Sequence, residues 1–322
     1  MATITQTALR QRNELASIDE ANFRLIEDAY ALMYERLQGD VDALTLAIES
    51  MEEGDSVEDL PQYRRLTRNA EKELDKFTTV LETILGASAL AALTLGLEHS
   101  AELVNLSTAG GFVGLEPAFM RTLLNYLEPG GKLYSRLSEL TGLAVQNVVD
   151  AIIEGVKAGK NPRVIASLIQ DAFGGGLTDA LRMMRTLQLY SYREAARANY
   201  LETNGIVTAW VWFAELGDPD TCMSCIAQHG TIHPLEETLN DHHNGRCAPL
   251  PYIPEFGNPV EQTGEDWFNS LSPAQQASMM GQGKFDAWKA GQFTFDKLSR
   301  EVENDIYGLM RSETPLKDLV NE

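Results

Sequence analysis

The chain has 322 residues, enough for two domains, and 44% of them are hydrophobic, so it can bury a core and is not a disordered chain. Its 47 acidic and 26 basic residues give a net charge of −21. A field of that sign repels nucleic acid, so we expect no DNA-binding surface and no specific nucleic-acid contact. The charge suits solubility, or docking onto a basic protein surface.

The apolar segments and the N-terminus predict neither a membrane span nor a signal peptide. The most apolar segment, 84–97, is followed directly by Glu98 and His99, and we expect a buried helix there. No basic stretch followed by an apolar core opens the chain. Its three cysteines are an odd number, which favours a reducing compartment and metal-bound thiolates over a disulfide framework.

Helical periodicity dominates the first two thirds of the chain. Apolar residues recur at helical spacing over 15–53, a break follows at Gly54 to Ser56, and Pro61 begins a helix that runs to about 108. A second helical set runs from about 116 to 201 and is punctuated by glycines.

Two features of this second set have alternative interpretations. We predict a flexible loop at Gly174–Gly176 rather than a phosphate cradle, because no strand precedes it and no Gly-Lys-Ser/Thr follows. Four arginines share one helical segment, and we interpret them as a solvated face paired with nearby acids rather than a functional patch. They are Arg182, Arg185, Arg193 and Arg197.

The pattern changes at Gly205. Residues 206–214 are aromatic and β-branched, which predicts a strand, and 217–220 predicts a turn. A loop-like segment rich in cysteine and histidine follows, and Pro249, Pro251 and Pro254 stiffen an extended exit. Helices return after about 264, one of them opened by Ser272 as N-cap and Pro273 as N1.

These elements predict an α+β fold that is mostly α-helical. A helical N-terminal region precedes a small α+β domain with a β-hairpin and loop module stapled by zinc. We expect four segments: an N-terminal helical region 1–110, a second helical region 111–204, a Cys/His module with trailing helices 205–300, and a C-terminal tail 301–322.

All three cysteines and four of the five histidines fall between Cys222 and Cys247, and we call this segment the Cys/His window. Cys222 and Cys225 form a Cys-x-x-Cys pair, whose spacing lets one turn aim both sulfurs at one ion. A His/Cys pair from the segment Asp241–Cys247 can complete four ligands. Spacing alone does not separate His242 from His243.

The window and its flanks, over about 160–300, resemble the phage Mu F-like minor head proteins, also called phage head morphogenesis proteins. The run Asp218–Cys225 resembles the family's Asp-x-x-Thr-Cys-x-x-Cys, and Asp241–Cys247 resembles its His-x-x-Cys-Arg-Cys ending. Segments 230–233 and 271–291 resemble the hairpin and the trailing segment of many members. The chain departs from the pattern at two positions: Leu187 stands where the family usually has Glu, and Gly245 stands where it has the first cysteine.

In this register His242 matches the family's histidine and Cys247 its last cysteine. The resemblance therefore implies the metal ligands Cys222, Cys225, His242 and Cys247, an all-N/S set that suits a closed structural Zn²⁺. His233 falls in a usually aromatic slot, so we expect it to pack or hydrogen-bond, and we expect His229 to be exposed. The alternative is a set of reduced, metal-free cysteines beside a hairpin.

The resemblance implies a structural minor capsid protein of a tailed phage, incorporated during capsid assembly. It would act in head morphogenesis at or near the portal, and in genome packaging or DNA ejection. The implied partners are the portal protein and the major capsid protein, with multiple copies per virion. The implied location is the virion, in the head interior or at the portal vertex, after synthesis in the host cytoplasm.

We expect no enzyme. The alternative is a thiol- or zinc-dependent enzyme or toxin module carried by a Mu F-like domain. No thioredoxin-like βαβ pattern surrounds the Cys-x-x-Cys pair, and no His-x-Glu lies upstream as a zinc deaminase would need. A third hypothesis is a host scaffold or adaptor that uses the acidic helical region.

Overall fold

The computed structural model describes residues 3–52, 55–108, 110–116, 162–304 and 308–320, without the side chains of 162–176 and 179. These residues divide between two compact units. The Cys/His unit comprises the described parts of Met1–Ser17, Ala89–Leu124 and Arg185–Glu322, and the helical unit those of Ile18–Ser88 and Asn125–Met184. The four segments expected from the sequence remain a prediction.

Three long helices account for about half of the described residues, and the fold is α+β and mostly α-helical, as predicted. Helix α1 is Ile4–Glu49, α2 is Pro61–Ser107 and α3 is Pro162–Leu201. A short 3-10 turn, Val57–Asp59, lies between the break predicted at 54–56 and the start of α2 at Pro61. The part of the second predicted helical set at 117–161 lies outside the described residues.

Apolar residues at helical spacing form the core of the helical unit. Leu37, Val41 and Leu44 recur along one face of α1 and are buried, and Leu66, Leu81 and Leu85 of α2 are buried likewise. The rings of Tyr30 and Phe77 meet edge to face with centroids 5.2 Å apart. The apolar faces of α1 and α2 therefore supply much of this unit's burial.

Helix α2 contains an 18-residue window, of mean hydropathy 1.8, that is long and apolar enough to cross a membrane. About 44% of that window is buried inside the protein, and a core helix meets the same criterion, so the window is weak evidence for a span. Within the segment 84–97, Leu85, Ala92, Leu93 and Leu97 are all buried.

The flexible loop predicted at Gly174–Gly176 is wrong, because α3 continues through these glycines. Glycine lowers helix propensity by about 1 kcal/mol relative to alanine, but unlike proline it keeps its backbone N–H donor. The following turns anchor the helix through Ala180 and Met184, which are fully buried. Tertiary packing therefore overrides the local propensity.

A three-stranded antiparallel sheet lies at the centre of the Cys/His unit. Strand β1 is Ala209–Phe213, as predicted, and it pairs with β2, Ile232–Pro234, on one side and with β3, Ala248–Tyr252, on the other. Prolines are tolerated in β3 because it is an edge strand. The Cys/His window was expected to be loop-like, but it contains both β2 and a short helix α4, Met223–Gln228.

Alternate side chains of β1 enter two different cores, as the two-residue period of a strand requires. Val211 and Phe213 pack with Leu103 of α2 in one hydrophobic cluster. Trp210 and Trp212 pack in another, whose further members include Tyr200, Cys225 and Cys247. Two of the three cysteines are therefore part of a tryptophan-rich core.

The C-terminal third adds short helices: α5 is Gly264–Ser270, α6 Pro273–Met280 and α7 Gln282–Lys289. Ser272 caps α6 with Pro273 in its first turn, as predicted. An apolar cluster forms beside these helices, with Phe268, Phe295 and Leu298 buried.

The segment predicted as a tail, 301–322, contains regular structure. Strands β4, Ser299–Asn304, and β5, Gly308–Glu313, form an antiparallel hairpin, and a short helix α8, Leu316–Leu319, follows. The backbone N–H of Arg311 donates to the carbonyl of Asn240 at 2.8 Å. The hairpin thus supports the loop that carries the last residues of the Cys/His window.

Candidate metal centre

The Cys-x-x-Cys pair lies at the beginning of α4. Cys222 is the N-cap residue, in extended backbone conformation, and Cys225 lies in the first turn. The N–H of Ile226 donates to the carbonyl of Cys222 at 3.1 Å. This turn brings the two Sγ atoms to 3.6 Å from each other.

His242 completes a tight trio of donor atoms. Its Nε2 lies 3.3 Å from the Sγ of Cys222 and 3.3 Å from that of Cys225. Its Nδ1 lies 2.8 Å from the carbonyl oxygen of His243. That carbonyl only accepts, so Nδ1 carries the proton and Nε2 presents its lone pair to the sulfurs when the ring is neutral.

The neighbouring His243 points away from the sulfurs. Its Nδ1 lies 3.3 Å from the hydroxyl of Thr186, and its Nε2 lies 3.4 Å from the amide nitrogen of Asn304. The structure therefore brings His242, and not His243, to the cysteines, a choice that spacing left open.

Cys247 lies on the opposite side of Cys225. The donor atoms of Cys225, Asp241 and Cys247 lie within 4.8 Å of one another, as do those of Cys222, Cys225 and His242. The four residues expected from the sequence are therefore close enough to hold one metal ion. Cys225 is common to both groups.

The distances within the trio match the edges of a tetrahedral site. Zinc–sulfur bonds of ~2.3 Å and zinc–nitrogen bonds of ~2.0 Å give S···S edges of about 3.8 Å and S···N edges of about 3.5 Å. The observed edges are 3.6, 3.3 and 3.3 Å. A zinc-sized ion fits these three donors with an adjustment of a few tenths of an ångström.

Hydrogen bonds polarise the trio strongly. The hydrogen bond from Cys225, helped by the one to His242 and opposed by burial, lowers the pKa of Cys222 to about 5. The pKa of Cys225 is raised well above its usual range, because its proton is shared with Cys222 and because it is buried. Burial would lower the pKa of His242, but Cys222 and Asp241 outweigh it and raise that pKa to about 9. Without metal, these shifts favour a thiolate at Cys222 and a protonated ring at His242.

Sequence reasoning missed two residues that shape the cluster, Arg193 and Asp241. Arg193 of α3 is 5% exposed and donates from Nε to the carbonyl of Cys247 and from Nη2 to that of Gly245, both at 2.9 Å. Its Nη2 also lies 3.4 Å from Oδ2 of Asp241. The interpretation of the arginines as a solvated face is wrong for Arg193, which holds the window's last loop.

The other two histidines of the window are buried. His233 packs and hydrogen-bonds, as expected: its ring stacks on Trp210 at 4.3 Å, and its Nδ1 lies 3.0 Å from Oε2 of Glu237. His229 was expected to be exposed, but only 5% of it is. Its Nδ1 accepts a hydrogen bond from the N–H of Ala214 at 3.1 Å, which requires the ring to lie in the core.

A small cavity beside the cluster is lined by Cys225, His242 and Cys247, and its volume is about 20 Å³. That is room for a single water molecule, whereas small-molecule sites usually enclose ~300–1,000 Å³. Ion pairs border the cavity, with Arg12 2.7 Å from Asp218 and Arg246 2.5 Å from Asp220. This cavity is therefore too small to hold a substrate.

No protein-family model, curated protein or solved structure significantly matches this chain.

Proposed function

We propose that the Cys/His cluster, which is the group of donor atoms around Cys222, Cys225 and His242, binds one structural Zn²⁺ ion. The observation that carries this proposal is the trio of Cys222, Cys225 and His242, whose donor atoms lie 3.3 to 3.6 Å apart. The fourth ligand comes from the loop before β3, where Cys247 is the residue expected from the sequence. A closed set of nitrogen and sulfur donors is typical of structural rather than catalytic zinc.

The ion would join two parts of the Cys/His unit that also meet through the hydrophobic cluster of Cys225, Leu235 and Leu239 and through the ion pair of Asp220 with Arg246. Cys222 and Cys225 belong to the beginning of α4, whereas His242 lies in the segment 235–247, which contains no helix or strand. Zinc binding, with an apparent free energy of ~10–16 kcal/mol in small zinc-dependent domains, would become folding free energy here.

Metal content tests this proposal. Protein purified without chelator should carry about one zinc per chain, and the Cys222→Ser variant should carry much less. Zinc-free wild-type protein would refute the proposal.

We further propose that the protein is a minor head component of a tailed phage, acting in head morphogenesis at or near the portal. Support comes from the resemblance of residues 160–300 to Mu F-like proteins, carried by the run Asp218–Cys225 and by Asp241–Cys247. The acidic charge suits a basic protein partner, and it suits a protein that must not adhere to packaged DNA. On this proposal its partners are the portal and major capsid proteins, and it needs no enzymatic activity.

The virion tests the second proposal. Phage particles purified and washed at high salt should retain the protein, and immobilised portal protein should capture it. Its absence from both virions and procapsids would contradict the proposal, and capture by host proteins alone would favour the adaptor hypothesis.

A thiol enzyme is the second candidate, and one observation favours it: Nε2 of His242 lies 3.3 Å from the Sγ of Cys222, as in the Cys/His pairs of activated cysteine nucleophiles. Alkylation by iodoacetamide separates the two functions. A structural site predicts that Cys222 is protected in the protein as purified and is alkylated only after chelation. Rapid alkylation of zinc-loaded protein at Cys222 would favour the enzyme.

A further inference from the structure

We propose that the carboxylate of Asp241, rather than the thiolate of Cys247, is the fourth ligand of the metal ion. This inference rests on the zinc site proposed above and deepens it. It changes the expected ligand set from three sulfurs and one nitrogen to two sulfurs, one nitrogen and one oxygen. All three ligand types are ordinary for Zn²⁺.

The first support is distance. Oδ1 of Asp241 lies 3.4 Å from the Sγ of Cys225 and 3.5 Å from Nε2 of His242, and these two atoms are themselves 3.3 Å apart. Oδ1, the Sγ of Cys225 and the Nε2 of His242 thus form a second triangle of closely spaced atoms. It shares its Cys225–His242 edge with the triangle that Cys222 completes. Among the described residues, the groups of donor atoms within 4.8 Å of one another place both Asp241 and Cys247 with Cys225, and neither of them with Cys222.

The second support is the orientation of the carboxylate. Oδ1 accepts the backbone N–H of His242 at 2.8 Å, which holds it on the side of the cluster. Oδ2 turns the other way, to Nη2 of Arg193 and to the N–H of Cys247, each at 3.4 Å. Both oxygens are therefore held by the protein, and Oδ1 faces the sulfur of Cys225 and the imidazole of His242.

The third support is burial. Asp241 is only 1% exposed. A buried carboxylate is costly unless a cation compensates it. Arg193 stands at 3.4 Å, longer than the ~2.7–2.9 Å of a strong charge-assisted hydrogen bond. A metal ion on the Oδ1 side would supply the remaining compensation.

The fourth support is the space at Gly245. A Cβ atom added there would lie 2.1 Å from Oδ2 and 2.2 Å from Cγ of Asp241. Any side chain at position 245 would therefore push the carboxylate out of its place. The absence of a side chain at Gly245 therefore leaves room for the carboxylate of Asp241 beside Cys225 and His242.

Cys247 has another role in this arrangement. Its N–H donates to Asp241 and its carbonyl accepts from Arg193, so its backbone positions the ligand loop. Its side chain is 4% exposed and packs in the hydrophobic cluster of Trp210 and Trp212. There it serves as a neutral, small apolar side chain.

X-ray absorption at the zinc edge of the full-length, zinc-loaded protein counts the sulfurs directly. Two sulfurs at ~2.3 Å and two lighter atoms at ~2.0–2.2 Å are expected. Three sulfurs would overturn the assignment of Asp241 and leave the zinc site intact. A protein that carries no zinc would instead refute the site itself, so the two failures are distinguishable.

Variants give a second readout. Cys247→Ser should keep about one zinc per chain with an unchanged sulfur count, whereas Asp241→Asn should weaken zinc binding by at least about 10-fold. Asp296→Asn, at an exposed acid far from the cluster in sequence, is the matched control and should bind as wild type. Loss of one sulfur in Cys247→Ser would contradict the proposal. If that variant does not fold, the wild-type spectrum alone decides.

Discussion

Nε of Arg193 donates to the backbone carbonyl of Cys247 at 2.9 Å, across 54 positions of sequence. A residue of α3 thereby holds the loop that brings His242 and Asp241 beside Cys225. Arg193 is almost fully buried, and its side-chain partners are two carbonyls and one carboxylate. The cluster is thus built by α3 as well as by the Cys/His window.

Replacing Arg193 by methionine should destabilise the protein by about 3–5 kcal/mol, because it removes a buried positive charge beside Asp241 and leaves the carbonyls of Gly245 and Cys247 without their donor. Methionine keeps most of the packing, so the loss reports on charge and hydrogen bonding. Urea unfolding measures it. Arg300→Met is the control: Arg300 pairs with Asp318 at 2.7 Å at the surface, and its loss should cost less than about 1 kcal/mol. Equal losses in the two variants would contradict the role given to Arg193.

Adjacent histidines provide a second matched pair. His242→Asn should weaken zinc binding by more than about 100-fold, since losing a mere outer neighbour of a zinc ligand already costs ~10–100-fold. His243→Asn should leave the affinity nearly unchanged, because His243 contacts Thr186 and Asn304 instead. Competition with a chromogenic chelator measures both constants. A larger loss of zinc affinity in His243→Asn than in His242→Asn would show that His243, and not His242, is the ligand.

Periodicity and cysteine spacing predicted the parts of this fold that depend on local sequence. The helix pair broken before Pro61, the strand at 209–213 and the cap at Ser272 all follow from patterns a few residues long. The flexible loop at Gly174–Gly176 was wrong because helix formation there depends on packing further along α3. The hairpin after Ser299 escaped notice because its first strand is polar and mostly exposed.

The same distinction holds at the site. Cysteines 222 and 225 are visible as a metal motif because their spacing is short. Arg193 and Asp241 are not, because their roles depend on contacts between α3 and a loop about 50 positions away. Gly245 was the sequence signal that could have pointed to Asp241. A glycine at a position where the Mu F-like proteins have a cysteine indicates that another side chain occupies the space of the missing one.

Buried His229 should make stability fall in acid. Burial lowers its pKa from 6.5 to about 4, so its contribution is fully present above pH 6.5 and is lost as the pH falls toward 4. At pH 4 the loss amounts to about 3 kcal/mol. The His229→Asn variant keeps an acceptor for the N–H of Ala214 but cannot be protonated there.

Urea unfolding at pH 7 and pH 4 measures this effect as the difference between the wild type and His229→Asn. The wild type should lose about 3 kcal/mol more than the variant between the two pH values. Metal release in acid affects both proteins alike and cancels in the difference. Identical pH dependence would contradict the buried, neutral imidazole.

Gly264 marks a close approach between α5 and α4. A Cβ added there would lie 1.7 Å from the carbonyl oxygen of Ile226, so Gly264→Ala should destabilise the protein by at least about 1–3 kcal/mol. Gly39 of α1 has nothing within 4 Å of its added Cβ, and Gly39→Ala should stabilise by up to about 1 kcal/mol. Thermal unfolding of the two variants should show shifts of opposite sign, and a tolerated Gly264→Ala would disprove the close approach.

Zinc-dependent unfolding tests the central claim, that a metal ion holds the Cys/His unit together. All four tryptophans of the chain lie in that unit, and Trp210 and Trp212 share a core with Cys225 and Cys247, so tryptophan fluorescence reports on it directly. Protein stripped by chelator should unfold at a much lower urea concentration than zinc-loaded protein, and added Zn²⁺, but not Mg²⁺, should restore the midpoint. Coincident unfolding curves for stripped and zinc-loaded protein would contradict the account.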